Sequence, residues 1–304
     1  MSASWTLALH GGAGTIAREA MSDTARAAHL EALHAALEAG AAVLRDGGSA
    51  EEAVVAAVVA LEDCPLFNAG RGSALSAAGT VEMDAALMLS NGRAGAVTGV
   101  RRLRNPVLAA RAVMRAGGAV MLAGEAADAF GEAEGLATAP PAYFETPQRR
   151  AQLLAARRAG AMALDHDGGF GTVGAVARDR AGRLAAATST GGMTNKPPGR
   201  VGDSPILGAG TWADAVVAVS CTGTGEAFLR VAAAHEVSAR MRHAGQPLEV
   251  AAGQVIRREV PAAGGRGGLV AVDARGNAAL PFGTPGMYRG VARAGAAPWA
   301  AIHA

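Results

Sequence analysis

The elements predicted from the sequence come in blocks of one kind, and that order limits the folds open to the chain. Two helices, Asp23–Arg45 and Ala50–Leu61, follow one another and carry apolar residues at helical spacing. Two strands, Val81–Leu89 and Ala94–Val100, then follow with no helix between them. Blocks of this kind predict sheets covered by layers of helices and disfavour a strict alternation of strands and helices.

Short polar residues mark where these two helices begin. Ser22 or Asp23 is a suitable N-cap for the first helix, and Ser49 for the second, because their side chains accept bonds from the first backbone N–H groups. Glu51 and Glu52 place negative charge in the first turn of the second helix, where the helix dipole stabilises it.

Other segments give weaker patterns. Turns rich in glycine or hydroxyl groups are predicted at Gly11–Gly14 and Thr188–Gly192. The remaining predicted strands are Thr6–His10, Val173–Arg178, Leu184–Thr188, Val216–Cys221, Leu269–Asp273 and Asn277–Leu280. The remaining predicted helices are Pro106–Arg115, Gln148–Ala161, Gly225–Arg242 and Gln246–Glu259.

The composition excludes several classes of protein. Half of the 304 residues are apolar and the net charge is only +2, which excludes a disordered polymer. The apolar run Val54–Leu61 is far short of the ~20 residues that a membrane-spanning helix needs. Aromatic residues make up 4% and no basic block with interleaved aromatic residues is present, so no nucleic-acid partner is expected. The core must therefore consist mainly of Ala, Val and Leu.

The cysteines and the first residues of the chain bear on its compartment. Two cysteines, Cys64 and Cys221, do not make a disulfide framework in a chain of this length, and they fit a reducing compartment. The first residues have neither a basic region nor a long apolar region typical of a signal peptide. The expected location is therefore the cytoplasm.

Common cofactor and hydrolase motifs match poorly. Gly11–Gly14 follows a strand but lacks the G-x-G-x-x-G spacing, and Thr222–Gly225 enters a helix but lacks the Gly-Lys ending of a P-loop. No G-x-S-x-G elbow is present, which disfavours an α/β-hydrolase. The run Asp165-His166-Asp167 has mixed ligands without a second cluster, so a solvated loop is the better interpretation.

Thr172 admits two interpretations. It follows Gly171 directly at the start of a predicted strand, where a threonine is ordinary. A threonine hydroxyl becomes a nucleophile only beside a base, and an α-amine with a pKa of about 8 is such a base if the threonine begins a chain. The spacing alone favours the ordinary strand residue.

Several longer motifs, in order along nearly the whole chain, change that balance. The chain resembles the isoaspartyl peptidase/L-asparaginase family, the plant-type asparaginases among the N-terminal-nucleophile hydrolases. The motifs are His10-Gly-Gly-Ala-Gly14, Asn68-Ala-Gly70, Met83-Asp-Ala85, Gly171-Thr-Val-Gly-Ala-Val176, Ala187-Thr-Ser-Thr-Gly-Gly-Met-Thr-Asn-Lys196, Pro198-Gly-Arg-Val-Gly-Asp-Ser-Pro205 and Cys221-Thr-Gly-Thr-Gly-Glu226.

The resemblance implies an α/β (α+β) fold, a four-layer αββα sandwich forming a single domain over residues 1–304. It also implies that the precursor cuts its own Gly171–Thr172 bond, leaving an α subunit of residues 1–171 and a β subunit of residues 172–304. Two such αβ units would then assemble as (αβ)2. The glycine-rich segment before the cut departs from the expected pattern and could alter the cleavage rate.

The matched positions imply a role for each site residue. Thr172 would be nucleophile and base, Thr190 would orient its hydroxyl, and Thr222 with Gly223 would stabilise the oxyanion. Arg200 and Asp203 would hold the α-carboxylate and the ammonium group of the substrate. For these two residues a weak surface ion pair is the alternative. Asn68 would have a supporting role in binding.

The resemblance also implies a structural sodium ion and no catalytic cofactor. Sodium prefers oxygen ligands, here main-chain carbonyl groups. The matching positions are Leu61, Glu62, Cys64, Phe67, Ala69 and Arg71.

The implied substrates are L-asparagine and isoaspartyl dipeptides, because both present the same α-amino acid head to Arg200 and Asp203. Two alternatives stay open. His166-Asp-Gly-Gly-Phe-Gly171 faintly resembles the pattern before the cut in glycosylasparaginases, so a glycosylated asparagine is the second candidate substrate. A non-catalytic amino-acid-binding scaffold is less consistent with the presence of every site residue.

Overall fold

A computed structural model describes residues 4–160 and 171–304. Its strands are β1 (Thr6–Gly14), β2 (Met83–Leu89), β3 (Ala94–Val100), β4 (Met121–Ala123), β5 (Val173–Arg178), β6 (Leu184–Thr190), β7 (Thr211–Ala213), β8 (Val217–Gly223), β9 (Gly267–Asp273), β10 (Ala278–Ala279), β11 (Gly286–Arg293) and β12 (Trp299–Ala301). Its α-helices are α1 (Asp23–Arg45), α2 (Ala50–Glu62), α3 (Pro106–Ala116), α4 (Gly124–Ala133), α5 (Pro141–Phe144), α6 (Pro147–Ala159), α7 (Gly225–Val231), α8 (Ala233–Ala244), α9 (Leu248–Gln254) and α10 (Val260–Ala262).

The strands form two sheets. The large sheet has eight strands in the order β12-β11-β1-β5-β6-β2-β3-β4, and the small sheet has four in the order β10-β9-β8-β7. Neighbouring strands are antiparallel except β3 and β4, which are parallel. The fold is thus a mixed α/β structure without a strict alternation of strands and helices, as the sequence predicts.

Apolar side chains form three clusters, which lie between the layers of helices and sheets. Successive residues of β1 point to opposite faces, so Leu7 and Leu9 join the cluster under the early helices while Ala8 joins the cluster between the two sheets. The third cluster lies between the small sheet and the later helices. Alanine is frequent between the sheets, where small side chains let the two backbones approach. Members there are Ala8, Ala13, Ala186, Ala213 and Ala218.

Both predicted helix caps are confirmed. Ser22 accepts a bond from the Ala25 N–H, and Ser49 accepts one from the Glu52 N–H at 3.2 Å. The Glu52 carboxylate in turn accepts from the Ser49 N–H at 2.9 Å, which completes a capping box. The predicted ends of α1 and α2 agree with the structure to within one residue.

The turn predicted at Gly11–Gly14 is wrong, because the whole segment is strand, and the one predicted at Thr188–Gly192 is wrong for its first three residues, because β6 ends only at Thr190. β1 continues to Gly14, since a bulge between His10 and Gly12 lets the strand stay paired with β11. Gly12 takes a φ of 113°, a conformation that glycine adopts without strain. Thr188 and Thr190 lie in β6, paired with β2 and β5.

Two predicted helices are interrupted. The helix expected over Gly225–Arg242 breaks at Ala232, which has a φ of 48°. Helix α7 ends before this residue, and α8 begins after it. The one expected over Gln246–Glu259 begins at Leu248 and changes to a π-helical turn at Val255. The sequence analysis does not predict strands β4, β7, β11 and β12 or helices α4, α5 and α10.

The described parts of the chain contain no helix that is both long and apolar enough to cross a membrane. The segment Asp165-His166-Asp167, interpreted above as a solvated loop, lies outside the described residues, as does most of the segment before Thr172.

Candidate active site

The ends of three strands meet at one cavity. Thr172 precedes β5, Thr190 ends β6, and Gly223 ends β8. β5 and β6 are antiparallel neighbours with Val173 opposite Ser189, so the start of one lies beside the end of the other. The cavity is lined by Gly171, Thr172, Thr190, Arg200, Asp203 and Gly223 among others. Most of the predicted site residues are therefore brought together.

The Thr172 hydroxyl is held by other hydroxyl groups. Its Oγ1 donates to Thr190 Oγ1 at 3.1 Å and lies 3.4 Å from Ser204 Oγ. Thr190 Oγ1 also accepts from the Gly192 N–H at 3.0 Å. Thr172 is only 7% exposed. These contacts fix the direction of the Thr172 hydroxyl. Both of its partners here are neutral hydroxyl groups.

Gly171 and Thr222 lie against each other. A Cβ placed on Gly171 would be 2.9 Å from Thr222 Oγ1, so only a glycine fits here without a shift. Thr222 is fully buried, and its Oγ1 accepts from the Ala13 N–H at 3.2 Å. The α-carbon of Gly171 thus packs against the hydroxyl predicted to stabilise an oxyanion, while the Gly171 carbonyl group lies against Gly12.

Gly223 is the second predicted oxyanion residue, and its position requires glycine. Its φ is 150°, and a Cβ here would clash with the Arg266 carbonyl oxygen. The backbone of Gly223 therefore lies so close to the start of β9 that no side chain would fit between them.

Arg200 and Asp203 lie beside each other, but Arg200 pairs with a different acid. The Arg200 Nε and Nη2 atoms donate to Glu226 Oε1 at 2.9 and 2.8 Å. A Cβ on Gly225 would lie 3.0 Å from both Arg200 Nη2 and Asp203 Oδ1, so this glycine makes room for both groups. The surface ion pair considered for Arg200 and Asp203 is not what the structure shows.

Asp203 is buried without full hydrogen bonding. It is 3% exposed, and its Oδ2 has no hydrogen-bond partner in the described parts of the chain. Burial raises the pKa of this carboxyl to about 7. A buried carboxylate with an unpartnered oxygen facing a cavity is suited to bind a cation or ammonium group.

A chain of neutral groups, which the sequence did not suggest, lies beneath Thr172. His10 Nδ1 is 3.0 Å from the Thr172 carbonyl oxygen, and His10 Nε2 is 2.9 Å from Ser220 Oγ. Ser220 Oγ lies 2.7 Å from Thr188 Oγ1, which accepts from Thr211 Oγ1 at 2.7 Å. All four side chains are fully buried.

Burial determines the charge of His10, and its two hydrogen bonds determine its tautomer. Burial lowers the pKa of His10 to about 3, so the ring is neutral at neutral pH. A carbonyl oxygen can only accept, so Nδ1 carries the proton and Nε2 accepts from Ser220. A side chain on Gly174 would clash with Ser220 Oγ, so this glycine lets the two sheets meet here.

Asn68 connects two loops at the edge of the site. Its Nδ2 donates to the Gly192 carbonyl at 2.7 Å, and its Oδ1 accepts from the Ala74 N–H at 2.7 Å. Gly192 in turn donates to Thr190. Asn68 therefore acts on the loop that holds Thr190.

The segment Leu61–Arg71, predicted to bind sodium, folds back on itself. The Glu62 carbonyl accepts from the Arg71 N–H at 2.7 Å, and a Cβ on Gly70 would lie 2.5 Å from the same oxygen. Gly70 has a φ of 52°. In the described residues no group of three or more His, Cys, Asp or Glu side chains could hold a metal ion, so the donors available here are main-chain carbonyl oxygens. That donor set fits a hard monovalent cation.

Burial favours the neutral forms of the Glu62 and Cys64 side chains, so they do not offer charged ligands to a cation in this loop. Glu62 Oε1 accepts from Ser189 Oγ at 2.6 Å and from the Val107 N–H at 3.0 Å, and burial raises its pKa to about 8. Burial also raises the pKa of the Cys64 thiol. Cys64 and Cys221 are both unpaired as disulfides.

The sequence is similar to known proteins over nearly its whole length. The asparaginase family matches residues 3–302. The chain is 52% identical to the isoaspartyl peptidase of Salmonella typhimurium, over 98% of each protein, and 52% identical to that of Escherichia coli, over 98% of this chain and 95% of the relative. It is 43% identical to the plant-type L-asparaginase of Pyrobaculum calidifontis, over 95% of this chain and 97% of the relative.

Proposed function

The chain belongs to the asparaginase family, and from this premise we propose that it is a threonine hydrolase of isoaspartyl dipeptides and L-asparagine. Its relatives named isoaspartyl peptidase and plant-type L-asparaginase support both substrates. The observation that carries the proposal is the meeting of Thr172 with Thr190 and Gly223 in one cavity with Arg200 and Asp203, while Thr222 is buried against Gly171.

We propose that the chain first cuts itself. Thr172 Oγ attacks the Gly171 carbonyl carbon, the hydroxyl proton passes to the Thr172 nitrogen as the peptide C–N bond breaks, and an ester forms while the Thr172 amine becomes free. Water then hydrolyses the ester and leaves chains of residues 1–171 and 172–304. The packing of Gly171 against Thr222 supports this step, because it places a fixed hydroxyl beside the residue whose carbonyl carbon is attacked.

In turnover the free Thr172 amine takes the proton of its own hydroxyl, which Thr190 keeps oriented. Thr172 Oγ attacks the β-carbonyl carbon of the substrate, and Thr222 and Gly223 stabilise the oxyanion. Ammonia or the downstream amino acid leaves with the proton. Water then hydrolyses the β-aspartyl ester and releases aspartate. Asp203 holds the ammonium group and Arg200 the α-carboxylate throughout.

The wider architecture and assembly belong to the same proposal. The three apolar clusters support a four-layer αββα sandwich formed by a single domain of residues 1–304, since they separate helices, two sheets and helices in that order. We also propose assembly as (αβ)2. The free cysteines support a reducing, cytoplasmic location.

A structural sodium ion would bind main-chain carbonyl groups of the loop described above and would stabilise the loop without taking part in the chemistry. The close turn at Gly70 supports it. Replacing sodium with choline at constant ionic strength should lower the melting temperature of the protein, and an unchanged temperature would argue against the ion. The proposed ligands are the carbonyl oxygens of Leu61, Glu62, Cys64, Phe67, Ala69 and Arg71.

Intact mass and activity together test the proposed function. The wild type should give two chains in place of one of 30.1 kDa and should hydrolyse an isoaspartyl dipeptide and L-asparagine. Thr172→Ala should stay intact and inactive, and Thr172→Ser should be cut. An intact wild type that still hydrolyses these substrates contradicts the proposal. Hydrolysis of glycosylated asparagine alone would favour a glycosylasparaginase, and binding of aspartate without hydrolysis would favour a scaffold.

A further inference from the structure

Arg200, the proposed partner of the substrate α-carboxylate, lines two cavities. One is the cavity that holds Thr172, and the other is lined by Glu82 and Gly199 among others. The guanidinium group of Arg200 pairs with Glu226 through Nε and Nη2. That ion pair fixes the direction of the side chain, but it does not fix the backbone from which the side chain starts. The residues that hold this backbone line the second cavity.

Glu82 holds both ends of the turn directly before Arg200. Its Oε2 accepts from the Gly199 N–H at 2.8 Å, and its main-chain carbonyl accepts from Lys196 Nζ at 2.6 Å. Two prolines stand between Lys196 and Gly199, and a proline has no backbone N–H. Gly199 is therefore the first residue after Lys196 whose backbone can donate, and it donates to Glu82.

The lysine in this turn is exceptional for the chain. Among the 28 Lys and Arg residues it is the only lysine. Its side chain is fully buried, and a Cβ placed on Gly192 would lie 2.6 Å from its Nζ. A compact ammonium group on a flexible stem fits this space, whereas a planar guanidinium group is wider. Lys196 therefore connects Glu82 to the loop whose Gly192 N–H donates to Thr190.

The Glu82 carboxylate is itself held in one position. Its Oε1 accepts from Arg101 Nη2 at 2.5 Å, so each of its two oxygens has a donor. The Glu82 side chain is 4% exposed, and that of Arg101 is 50% exposed. Because the two oxygens of a carboxylate move together, the bond to Arg101 limits the movement of Oε2 and therefore of Gly199.

We infer that Glu82 is a positioning residue for substrate binding, which fixes the backbone at Gly199 so that Arg200 meets the substrate α-carboxylate. This assignment rests on the proposed function, which gives Arg200 its task. In this scheme Glu82 contacts neither the substrate nor Thr172. A displacement of about 1 Å in a binding group can cost up to about a hundredfold in rate. Loss of Glu82 should therefore weaken the discrimination that Arg200 provides, although Arg200 itself is still present.

Two forms of isoaspartyl-leucine test the assignment, one with the free α-carboxylate of the aspartyl residue and one in which that carboxylate is an amide. Both release leucine, which is measured. The wild-type kcat/KM for the acid should exceed that for the amide about a hundredfold, mainly through KM, because Arg200 pairs with the carboxylate. In Glu82→Ala this ratio should fall about tenfold. In Glu82→Gln it should fall less, because the amide oxygen can still accept from the Gly199 N–H.

This readout separates positioning from two simpler effects. The ratio within one variant does not depend on the folded fraction. A purely electrostatic effect would have the opposite sign, since removal of a negative charge near Arg200 favours the anionic substrate.

The matched control is Asp179→Ala. Asp179 is also a buried carboxylate that accepts from backbone N–H groups of a turn and from an exposed arginine, Arg183. It lies in the turn between β5 and β6, at the opposite end of β5 from Thr172. This variant should lose stability and keep the wild-type ratio.

A second control combines two substitutions. Arg200→Lys should lower the ratio by itself, because lysine lacks the fork. Adding Glu82→Ala in that background should change the ratio by about twofold at most, since both residues act through the same contact.

Three results would overturn the assignment. They are an unchanged or raised ratio in Glu82→Ala, an equal loss in Asp179→Ala, and a full further loss of about tenfold in the Arg200→Lys background. A wild type without preference for the acid would instead contradict the proposed task of Arg200. A wild type that hydrolyses neither substrate and no L-asparagine would contradict the proposed function, and the assignment with it.

Discussion

The two sides of the cavity are built in opposite ways. Beneath Thr172 lies a neutral side, in which buried hydroxyl and imidazole groups bond to one another at 2.7–3.1 Å. Facing it lies a charged side, in which Asp203 keeps an oxygen without a partner in the described residues. The neutral side comprises His10, Thr188, Thr190, Thr211 and Ser220, and the charged side comprises Arg200, Asp203, Glu226 and Arg266.

The difference indicates a division of labour. The neutral side has its hydrogen bonds already made, so it can hold Thr172, the proposed nucleophile, in one direction without waiting for a ligand. The charged side is incomplete, because Asp203 keeps an oxygen without a partner in the described residues and, with a pKa of about 7, is only partly ionised at neutral pH until a cation binds. Changes on the neutral side should therefore affect kcat, and changes on the charged side should affect KM.

The sharpest test of the neutral side is Thr190→Val. The variant keeps the shape of the side chain but removes the hydroxyl that meets Thr172 Oγ at 3.1 Å. We expect kcat to fall by about 10²–10³, with KM nearly unchanged. Thr190→Ser, the control, should keep most of the activity. A variant whose KM rises while kcat is retained would break the comparison.

On the charged side, Asp203→Asn should lower kcat/KM about a hundredfold, mainly by raising KM, because the substrate ammonium loses its carboxylate partner. Burial raises the pKa of Asp203 to about 7, so the ionised form that binds ammonium grows as pH rises through 7. Below pH 7 the wild-type kcat/KM should therefore fall as the pH is lowered.

The pH profile of Asp203→Asn supplies the control. Its kcat/KM should keep only the rise due to the proposed Thr172 amine, since α-amines ordinarily have a pKa of about 8. If the profile of the variant matched that of the wild type at pH 5–7, Asp203 would not be the group that titrates.

His10→Asn probes the neutral side through stability. We expect the free energy of unfolding to fall by about 2 kcal/mol at pH 7.5, because Ser220 loses its buried partner. The measurement is urea unfolding of both proteins in the uncut Thr172→Ala background, where unfolding involves one chain.

The pH dependence of that loss has a definite sign. The folded pKa of His10 is about 3, below its ordinary value of 6.5, so only the unfolded chain takes up this proton as the pH falls below 6.5. Wild-type stability therefore decreases there, by up to about 1.4 kcal/mol per pH unit for this group, and the difference between the two proteins should shrink. A constant difference between pH 7.5 and 5 would mean that His10 is not buried neutral.

The smallest effect is expected for Glu226→Gln. Its carboxylate orients Arg200 but its side chain is 36% exposed, so solvent screens much of the interaction. We expect KM to rise about two- to fivefold with kcat unchanged, and the effect to shrink in 1 M salt. A large loss of kcat would instead place Glu226 with the neutral side.

The sequence predicted more about the threonines around Thr172 than about the partners on the charged side. Thr172, Thr190 and Thr222 stand in long motifs, and the pairing of β5 with β6 brings the first two together. Glu226 stands in a motif too, but nothing in the chain pattern indicates that Arg200 would pair with it across 26 residues. The partner of a charged side chain depends on the tertiary fold.

The hydroxyl chain was missed because threonine is ordinary in strands. A signal was nevertheless present. Thr188 and Thr190 are two residues apart in β6, and Ser220 and Thr222 are two residues apart in β8, so each pair lies on one face of its strand. Polar pairs at period two near the ends of otherwise apolar strands predict a buried polar contact between sheets.

The missed strand β11 and the wrong turn at Gly11–Gly14 have one cause. β1 and β11 pair with each other through glycine-containing sequences, in which Gly12 stands opposite Tyr288 beyond a bulge. Glycine weakens a strand pattern when only local sequence is read, because it has no side chain to indicate a face. Here the partner strand supplies what the local pattern lacks.

The order of strands in the large sheet has a consequence for a protein cut at Gly171–Thr172. Strands β1 and β2 come from the first piece, whereas their neighbours β11, β5 and β6 come from the second. The two pieces thus alternate within one sheet. Their separation would break three strand pairings at once: β11 with β1, β1 with β5, and β6 with β2. The severed protein should behave as one body in solution, yet its unfolding midpoint should rise with protein concentration, as for a tightly bound heterodimer.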